Sequence, residues 1–333
     1  MNNQVLLSYG GGGYEMNEFL NNFVLKEIKS TITQGLSEDA AVCEGFKNIA
    51  FSTDSFVLNP IFINGANIGK IAACGSINDV LMMGAMPKYL TLALILEEGL
   101  SLDDLKIILN SLGECANEFN VNIKCGDLKV VPKGKADKIF INTTCIGDMN
   151  GFKENNNIST KNIADTDCII LSADIGRHGA CVMAARQGFE YDINSDAKCL
   201  FDEVKSISKY NIKCLRDATR GGVASVLNEL ANASNKDFII NEKDIHISDG
   251  VLGLCELLGF EPLELANEGT FICIASKDCA DDIVNELKKF NPNASIIGEV
   301  KKTKDKAKII LNTIYGGSRI LSMPKGELLP RIC

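Results

Sequence analysis

The sequence runs to 333 residues, 46% of them apolar and none of them Trp, which is enough for two domains with aliphatic cores built from Ile, Leu, Val and Ala with some Phe. A net charge of −9 speaks against nucleic-acid or anionic-membrane partners, both of which need a basic surface. The 13 Cys are scattered and odd in number, no apolar run approaches membrane-spanning length, and the amino terminus has no signal-peptide pattern, so the chain reads as a cytoplasmic protein with reduced thiols.

After a short apolar run come Gly10, Gly11, Gly12 and Gly13. Four consecutive glycines cost too much backbone entropy for a stable element. They suit either a flexible linker or a loop whose N–H groups wrap an anion ahead of a helix. Met16, Phe19, Leu20 and Phe23 then recur at helical spacing. Residues 50–57 read as a strand interrupted by Asp54. Residues 67–83 suit a largely buried helix, yet Asn78 and Asp79 fall inside it, and a carboxylate among apolar residues is costly unless paired or metal-bound. A strand is expected over 89–97, an amphipathic helix over 102–119, a strand over 121–131 broken at Gly126-Asp127, and another over 138–146. Helices and strands alternate, which points to an α/β or α+β class with a mixed sheet in a first domain over 1–150. Asp39, Asp54, Asp79 and Asp127 each sit in or beside an apolar run, and if they converge they suit Mg²⁺ with a nucleotide polyphosphate.

The polar, Asn-rich stretch 151–167 is the expected linker to an α+β domain over 168–317. A buried strand at 168–172 leads through D-I-G-R-H-G to a helix over 180–187, with His178 as a cap or turn residue. Gly221-Gly222 opens a further helix, and Asp217, Thr219 and Arg220 stand at its entrance, a place for an anion, a partner loop or a plain cap. His246 belongs to an alternating, strand-like run. Asn267-Glu268-Gly269 forms a turn before a strand, and a helix over 281–290 precedes strands at 296–300 and 309–312. The last segment, 318–333, carries Pro324 and Pro330 and ends in Cys333. It reads as a mobile, extended arm bearing a thiol.

These motifs occur together and in order: D-A-A-V at 39–42, S-T-D-S-F at 52–56, N-I-G-K through S-I-N-D-V-L-M-M-G-A at 67–85, G-D-L-K-V-V at 126–131, D-I-G-R-H-G at 174–179, R-D-A-T-R-G-G-V at 216–223, A-N-E-G-T at 266–270 and P-R-I-C at 330–333. Taken together they resemble the HypE family of hydrogenase maturation proteins, in the superfamily of aminoimidazole ribonucleotide synthetase, selenophosphate synthetase and thiamine-monophosphate kinase. The resemblance covers nearly the whole chain. It implies an ATP-using homodimer that dehydrates a carbamoyl group. A HypF-type carbamoyltransferase would load the group onto Cys333, dehydration would give a thiocyanate, and a HypC–HypD complex would accept the cyano group for a [NiFe]-hydrogenase iron centre.

The resemblance also implies roles. Mg²⁺ would rest on Asp39, Asp54, Asp79 and Asp127. Gly10 to Gly13 would cover the phosphates, with Asn78, Thr219 and Arg220 at the nucleotide. Lys129 would stabilise the transferring phosphoryl group, Glu268 would take a proton from nitrogen, and Asn267 would position the carbamoyl group. The chain departs from the family in having Tyr9, where a His is usual ahead of the glycines. Two other readings stand beside this one: a different ATP-dependent enzyme of the superfamily, such as a small-molecule kinase or synthetase, and a non-catalytic nucleotide-binding scaffold.

Overall fold

The computed structural model describes residues 3–11, 13–28, 40–152, 158–325 and 332. Gly12, Asp39 and Cys333 lie outside the described residues. The first domain contains helices α1 (Tyr14–Phe19) and α2 (Leu25–Ile28), strand β1 (Ile49–Phe56), a two-strand ribbon β2 (Phe62–Ile63) and β3 (Ala66–Asn67), helix α3 (Ile68–Met82), strand β4 (Met86–Glu97), helix α4 (Leu102–Glu118), and strands β5 (Asn122–Val131) and β6 (Ile139–Asp148). The main sheet has the order β1-β6-β4-β5, with β4 and β5 parallel and the other pairs antiparallel.

Along β6 the residues alternate between buried (Ile139, Ile141, Thr143, Cys145) and half-buried (Phe140, Asn142, Thr144, Ile146). That period of two marks a sheet covered on one face only. Helices α3 and α4 provide the cover. Asn67 caps α3, its side-chain oxygen accepting from the Gly69 and Lys70 amides at 2.9 and 3.1 Å. Ser101 caps α4. As its composition suggests, α3 is buried on nearly every side, because the sheet, α4 and the second domain all pack on it.

The expected break in the strand at Gly126 does not occur. β5 runs through it, and Gly126 lies so near β4 that an added Cβ would stand 2.1 Å from the Leu92 carbonyl oxygen. The glycine serves a close backbone approach.

The second domain holds β7 (Cys168–Leu171), α5 (Arg177–Gln187), α6 (Phe201–Ile207), β8 (Ile212–Asp217), α7 (Gly222–Ser234), β9 (Lys236–Asn241), α8 (Asp249–Leu258), β10 (Phe271–Ala275), α9 (Ala280–Leu287), β11 (Ser295–Lys302), β12 (Ile309–Asn312) and β13 (Ser318–Ile320). Its sheet has the order β13-β12-β9-β11-β7-β10-β8, antiparallel except for the β12–β9 pair. β7 and β10 are buried on both faces, which explains why their sequences are continuous apolar runs. One face packs with α7 into a core of its own. The other joins α3, α6 and α9 in a core continuous with the first domain, so that Ile77, Leu81, Leu200 and Phe271 belong to one cluster. The described end of the 151–167 stretch is packed as well: Ile158 and Ile163 are buried, and the Ser159 amide donates to the Lys213 carbonyl at 2.9 Å.

Helices α3 and α4 approach closely at Gly69, where a Cβ would sit 2.1 Å from the Ile108 carbonyl oxygen. Replacing Gly by Ala in a helix gains roughly 0.5–1 kcal/mol of backbone propensity, but overpacking a filled interior costs roughly 1–3 kcal/mol. Packing wins here, because the obstacle is backbone. Gly69→Ala is expected to destabilise the protein by about 2 kcal/mol, read as a lower midpoint in urea unfolding.

Candidate active site

A cavity of about 530 Å³ opens between the domains, walled by β1 and α3 on one side and by the end of β8, the start of α7 and Glu268 on the other. Asp54 projects from the helix-covered face of β1, and Asp79 meets it from α3. The Ser52 hydroxyl donates to the Asp79 carboxylate. Asp217 closes β8, and Thr219 and Arg220 follow in the loop that leads to α7. That loop turns through Gly221 at φ 75° and Gly222 at φ 60°, left-handed values that glycine adopts without strain.

Glu268 is 3% exposed and sits in a loop held from beneath by Asp196. The Asp196 carboxylate accepts from the Glu268 amide, the Gly269 amide and the Thr270 hydroxyl, each at 3.0 Å. Glycine is required at 269, where a Cβ would stand 2.0 Å from the Asp196 carbonyl oxygen.

Four carboxyl groups, those of Asp54, Asp79, Asp217 and Glu268, therefore share one cavity. Burial pushes Asp79 up to about 7, with the charges of Asp217 and Asp54 adding to the rise. Asp217 rises to about 6, chiefly through burial, with Arg216 opposing. Burial first, then Asp196, Asp217, Asp54 and Asp79 in turn, lifts Glu268 well above the ordinary carboxylate range. Such groups can exchange protons near neutrality and call for counter-charge. Arg220 stands exposed at the rim.

The other residues singled out in the sequence fall elsewhere. Asp127 and Lys129 pair with each other at 2.8 Å on β5, and both are exposed. Their register explains why they do not join Asp54. Asp127 pairs with Ala93, which pairs with Asn142, whereas Asp54 pairs with Thr143. Successive β6 residues point to opposite faces, so Asp54 lies on the helix-covered face and Asp127 and Lys129 on the open one. Of the four aspartates expected to converge, Asp54 and Asp79 meet in this chain, Asp127 does not, and Asp39 is outside the described residues. Among the described residues no group of three or more His, Cys, Asp or Glu is arranged to hold a metal. The Asp54–Asp79 pair does fit Mg²⁺, which takes one or two carboxylates and completes its shell with phosphate and water oxygens.

Gly10 packs against the backbone of Val130 on β5, away from the cavity. Gly11 and Gly13 flank it without lining the cavity. Tyr9 stacks on Phe19 with ring centroids 4.4 Å apart, a packing role. Asn78 does not line the cavity. Its carboxamide donates to the Lys198 carbonyl at 3.0 Å and accepts from the Leu200 amide at 2.9 Å, tying α3 to the second domain. Asn267 is likewise spent on backbone: it accepts from the Gly176 amide at 2.7 Å and donates to the Ala218 and Leu265 carbonyls at 2.8 and 3.2 Å. It shapes the Glu268 loop and has no N–H left for a substrate.

Cys333 is outside the described residues, but its neighbour Ile332 is 2% exposed and forms an antiparallel bridge with Leu58, just past β1. His178 is neither cap nor turn. It is a fully buried residue in the first turn of α5. Sequence reasoning passed over Asp196, whose setting in N-S-D-A-K carries no periodic signal. It placed Asp217 only at a helix entrance, although that residue is another carboxylate flanking an apolar run.

The descriptions "AIR synthase related protein, N-terminal domain" and "AIR synthase related protein, C-terminal domain" match residues 37–149 and 165–310. Carbamoyl dehydratase HypE of Escherichia coli (strain K12) is 35% identical over 342 residues, covering 99% of this chain and 100% of the relative. A solved structure of hydrogenase maturation protein HypE in complex with ATP superposes with a TM-score of 0.92 at 37% identity, covering 98% of this chain and 99% of that one. A HypE–HypF complex matches with a TM-score of 0.79 at 40% identity, covering 94% of this chain and 100% of that one.

A carboxyl raised in the folded state favours folding at low pH and loses that contribution as pH climbs from its unfolded value to its folded one. For Asp79 that window runs from 3.8 to about 7. In chelator-treated buffer Asp79→Asn should remove this loss. The variant's stability gain over the parent should grow by about 2 kcal/mol between about pH 5 and about pH 8 in urea titrations. A pH-independent difference would contradict the shift.

Proposed function

The chain belongs to the HypE family of carbamoyl dehydratases, and from that membership we propose that it uses ATP to turn a carbamoyl group on the sulfur of Cys333 into a thiocyanate. The observation that carries this reading is the carboxyl-lined cavity with Glu268 at its inner wall and Arg220 at its rim. The buried seat of Ile332, one residue from the thiol, supports the carrier role.

A nitrile forms from a carboxamide only if oxygen leaves, and hydroxide leaves poorly. Transfer of the ATP γ-phosphoryl group to the carbamoyl oxygen makes phosphate the leaving group. That transfer needs position and charge neutralisation rather than covalent help from protein. Glu268 takes one proton from nitrogen as the C–O bond order falls. The second N–H proton leaves with the departing phosphate as the C–O bond breaks and the C≡N bond closes. ATP and the S-carbamoyl group thus yield ADP, phosphate and the S-cyano group. Glu268 must be ionised to act, and its raised proton affinity makes it a stronger base than a solvent-exposed carboxylate. Asp54 and Asp79 would hold Mg²⁺, which when bound supplies positive charge to the phosphate oxygens. Thr219 and Arg220 meet the nucleotide from the second domain. Asp196 and Asn267 hold the Glu268 loop.

The partners are those that the family membership implies. A HypF-type carbamoyltransferase loads the thiol, and a HypC–HypD complex accepts the cyano group, in the cytoplasm. The working unit is a homodimer. Exposed Ile49, Phe51 and Ile95 on the open sheet face support it, as does the position of Asp127 and Lys129 on that face. In the dimer these two residues act in the partner's cavity rather than their own.

Two measurements check this. With the transferase, carbamoyl phosphate and ATP supplied, the peptide ending in Cys333 should gain a carbamoyl mass and then lose one water. Glu268→Gln should keep the gain and slow the water loss by about 100-fold or more; loss of both together would point to misfolding. Separately, Asp79→Asn and Lys129→Ala should each be inactive alone. Mixed, they should recover about a quarter of parental activity, because half of the dimers carry one intact composite site of two. Absence of recovery after verified subunit exchange would remove the shared-site reading.

A further inference from the structure

His178 is fully buried, and both of its ring nitrogens are engaged. Nε2 lies 2.8 Å from the Ile332 carbonyl oxygen, and Nδ1 lies 2.8 Å from the Ser195 hydroxyl. A carbonyl oxygen only accepts, so Nε2 carries the proton. Burial lowers the imidazole's proton affinity and favours the neutral ring. Nδ1 is then an acceptor and the Ser195 hydroxyl donates to it. The Ser195 oxygen in turn accepts from the Ala197 amide at 3.2 Å. The residue between them is Asp196, whose carboxylate holds the Glu268 loop. Hydrogen bonds from the Ile332 carbonyl to Ser195, and then the covalent step from Ser195 to Asp196, therefore join the next-to-last carbonyl of the chain to the segment that presents Glu268.

A buried histidine serving only as core filling would be satisfied by its own domain's backbone. Here one of its two bonds goes to a residue 154 positions away. That residue is otherwise seated by the isolated bridge to Leu58, two residues past the end of β1, the strand that bears Asp54. The Ile332 carbonyl belongs to the peptide bond from which Cys333 hangs. Fixing that oxygen fixes the origin of the thiol's reach.

We propose that His178 is the latch for the docked chain end. It donates from Nε2 to the Ile332 carbonyl and, through Ser195, registers the tail against the Asp196-held loop that carries Glu268. It is a positioning residue. This deepens the reading of Cys333 as carrier and rests on it, but the latch itself is testable without any turnover.

His178→Leu removes the donor, whereas His178→Gln places an amide N–H where Nε2 stood. The readout is the rate at which a bulky maleimide labels Cys333, from the peptide released by cleavage after Lys325. The peptide bearing Cys43, which is exposed, is the internal standard. A neutral buried hydrogen bond of ordinary strength predicts labelling about five- to tenfold faster in His178→Leu, and within about twofold of the parent in His178→Gln. Unchanged labelling in a folded His178→Leu, or equal behaviour of the two variants, overturns the latch.

Should His178→Leu fail to fold, the parent protein decides. It has only two histidines, so its ¹⁵N imidazole spectrum resolves His178 from His246. Removing residues 332–333 should shift the His178 Nε2 resonance and leave His246 in place; no shift overturns the latch. Single-turnover dehydration of a preloaded thiol should slow about five- to tenfold in His178→Leu, with loading by the transferase unchanged. If labelling and spectrum behave as expected while the parent shows no dehydration, the functional reading falls and the latch stands.

Discussion

Carboxyl groups crowded around one interdomain cavity dominate this molecule. Asp54, Asp79, Asp217 and Glu268 face one another across the interdomain cavity, and desolvation makes Asp79, Asp217 and Glu268 harder to ionise. An arrangement of this kind survives only if the surrounding framework is stiffer than the repulsion it contains. The same tension is useful. Groups that are reluctant to be anionic accept protons readily and welcome a cation or an arginine, which is what handling a polyphosphate beside a proton-losing nitrogen demands.

The stiffness comes from polar side chains that never touch the cavity. Asn78 fastens α3 to residues 198 and 200 across the domain boundary. Asn267 spends its carboxamide on three backbone partners, and Asp196 gathers three donors from the loop beside it. Each buried amide or carboxylate is satisfied, so each contributes order instead of a desolvation penalty. A residue in such a motif can therefore matter to the chemistry by placing its neighbour, and Asn267 beside Glu268 is the clearest case.

The architecture was largely legible in the chain. Periodicity located α3, α4 and the fully apolar strands β7 and β10, because those patterns follow from burial. Carboxylates set in apolar runs brought Asp54 and Asp79 to notice, a glycine-opened helix entrance brought Thr219 and Arg220, and the family resemblance gave Glu268 its role; the structure gathers them at one cavity. What escaped was direction and register. Nothing in a linear string says that Asp127 and Asp54 fall on opposite faces of one sheet; that depends on pairing through β4 and β6. Nor does a carboxamide's residue type reveal whether it will face a substrate or a backbone, and Asn78 and Asn267 face backbone. The continuity of β5 through Gly126 was hidden for a related reason: glycine marks both breaks and close approaches.

Helix α3 has a consequence for modularity. It belongs to the first domain by sequence, yet its far side is lined by the second, and one apolar core runs through both. Cut at the boundary, the amino-terminal portion would present an oily helix to water, and the carboxyl-terminal portion would lose the partner of its 198–200 segment. The two halves are thus not exchangeable parts in the way that two separately matched domains suggest. A chimera between distant relatives inherits a working cavity only when both sides of that seam come from the same parent.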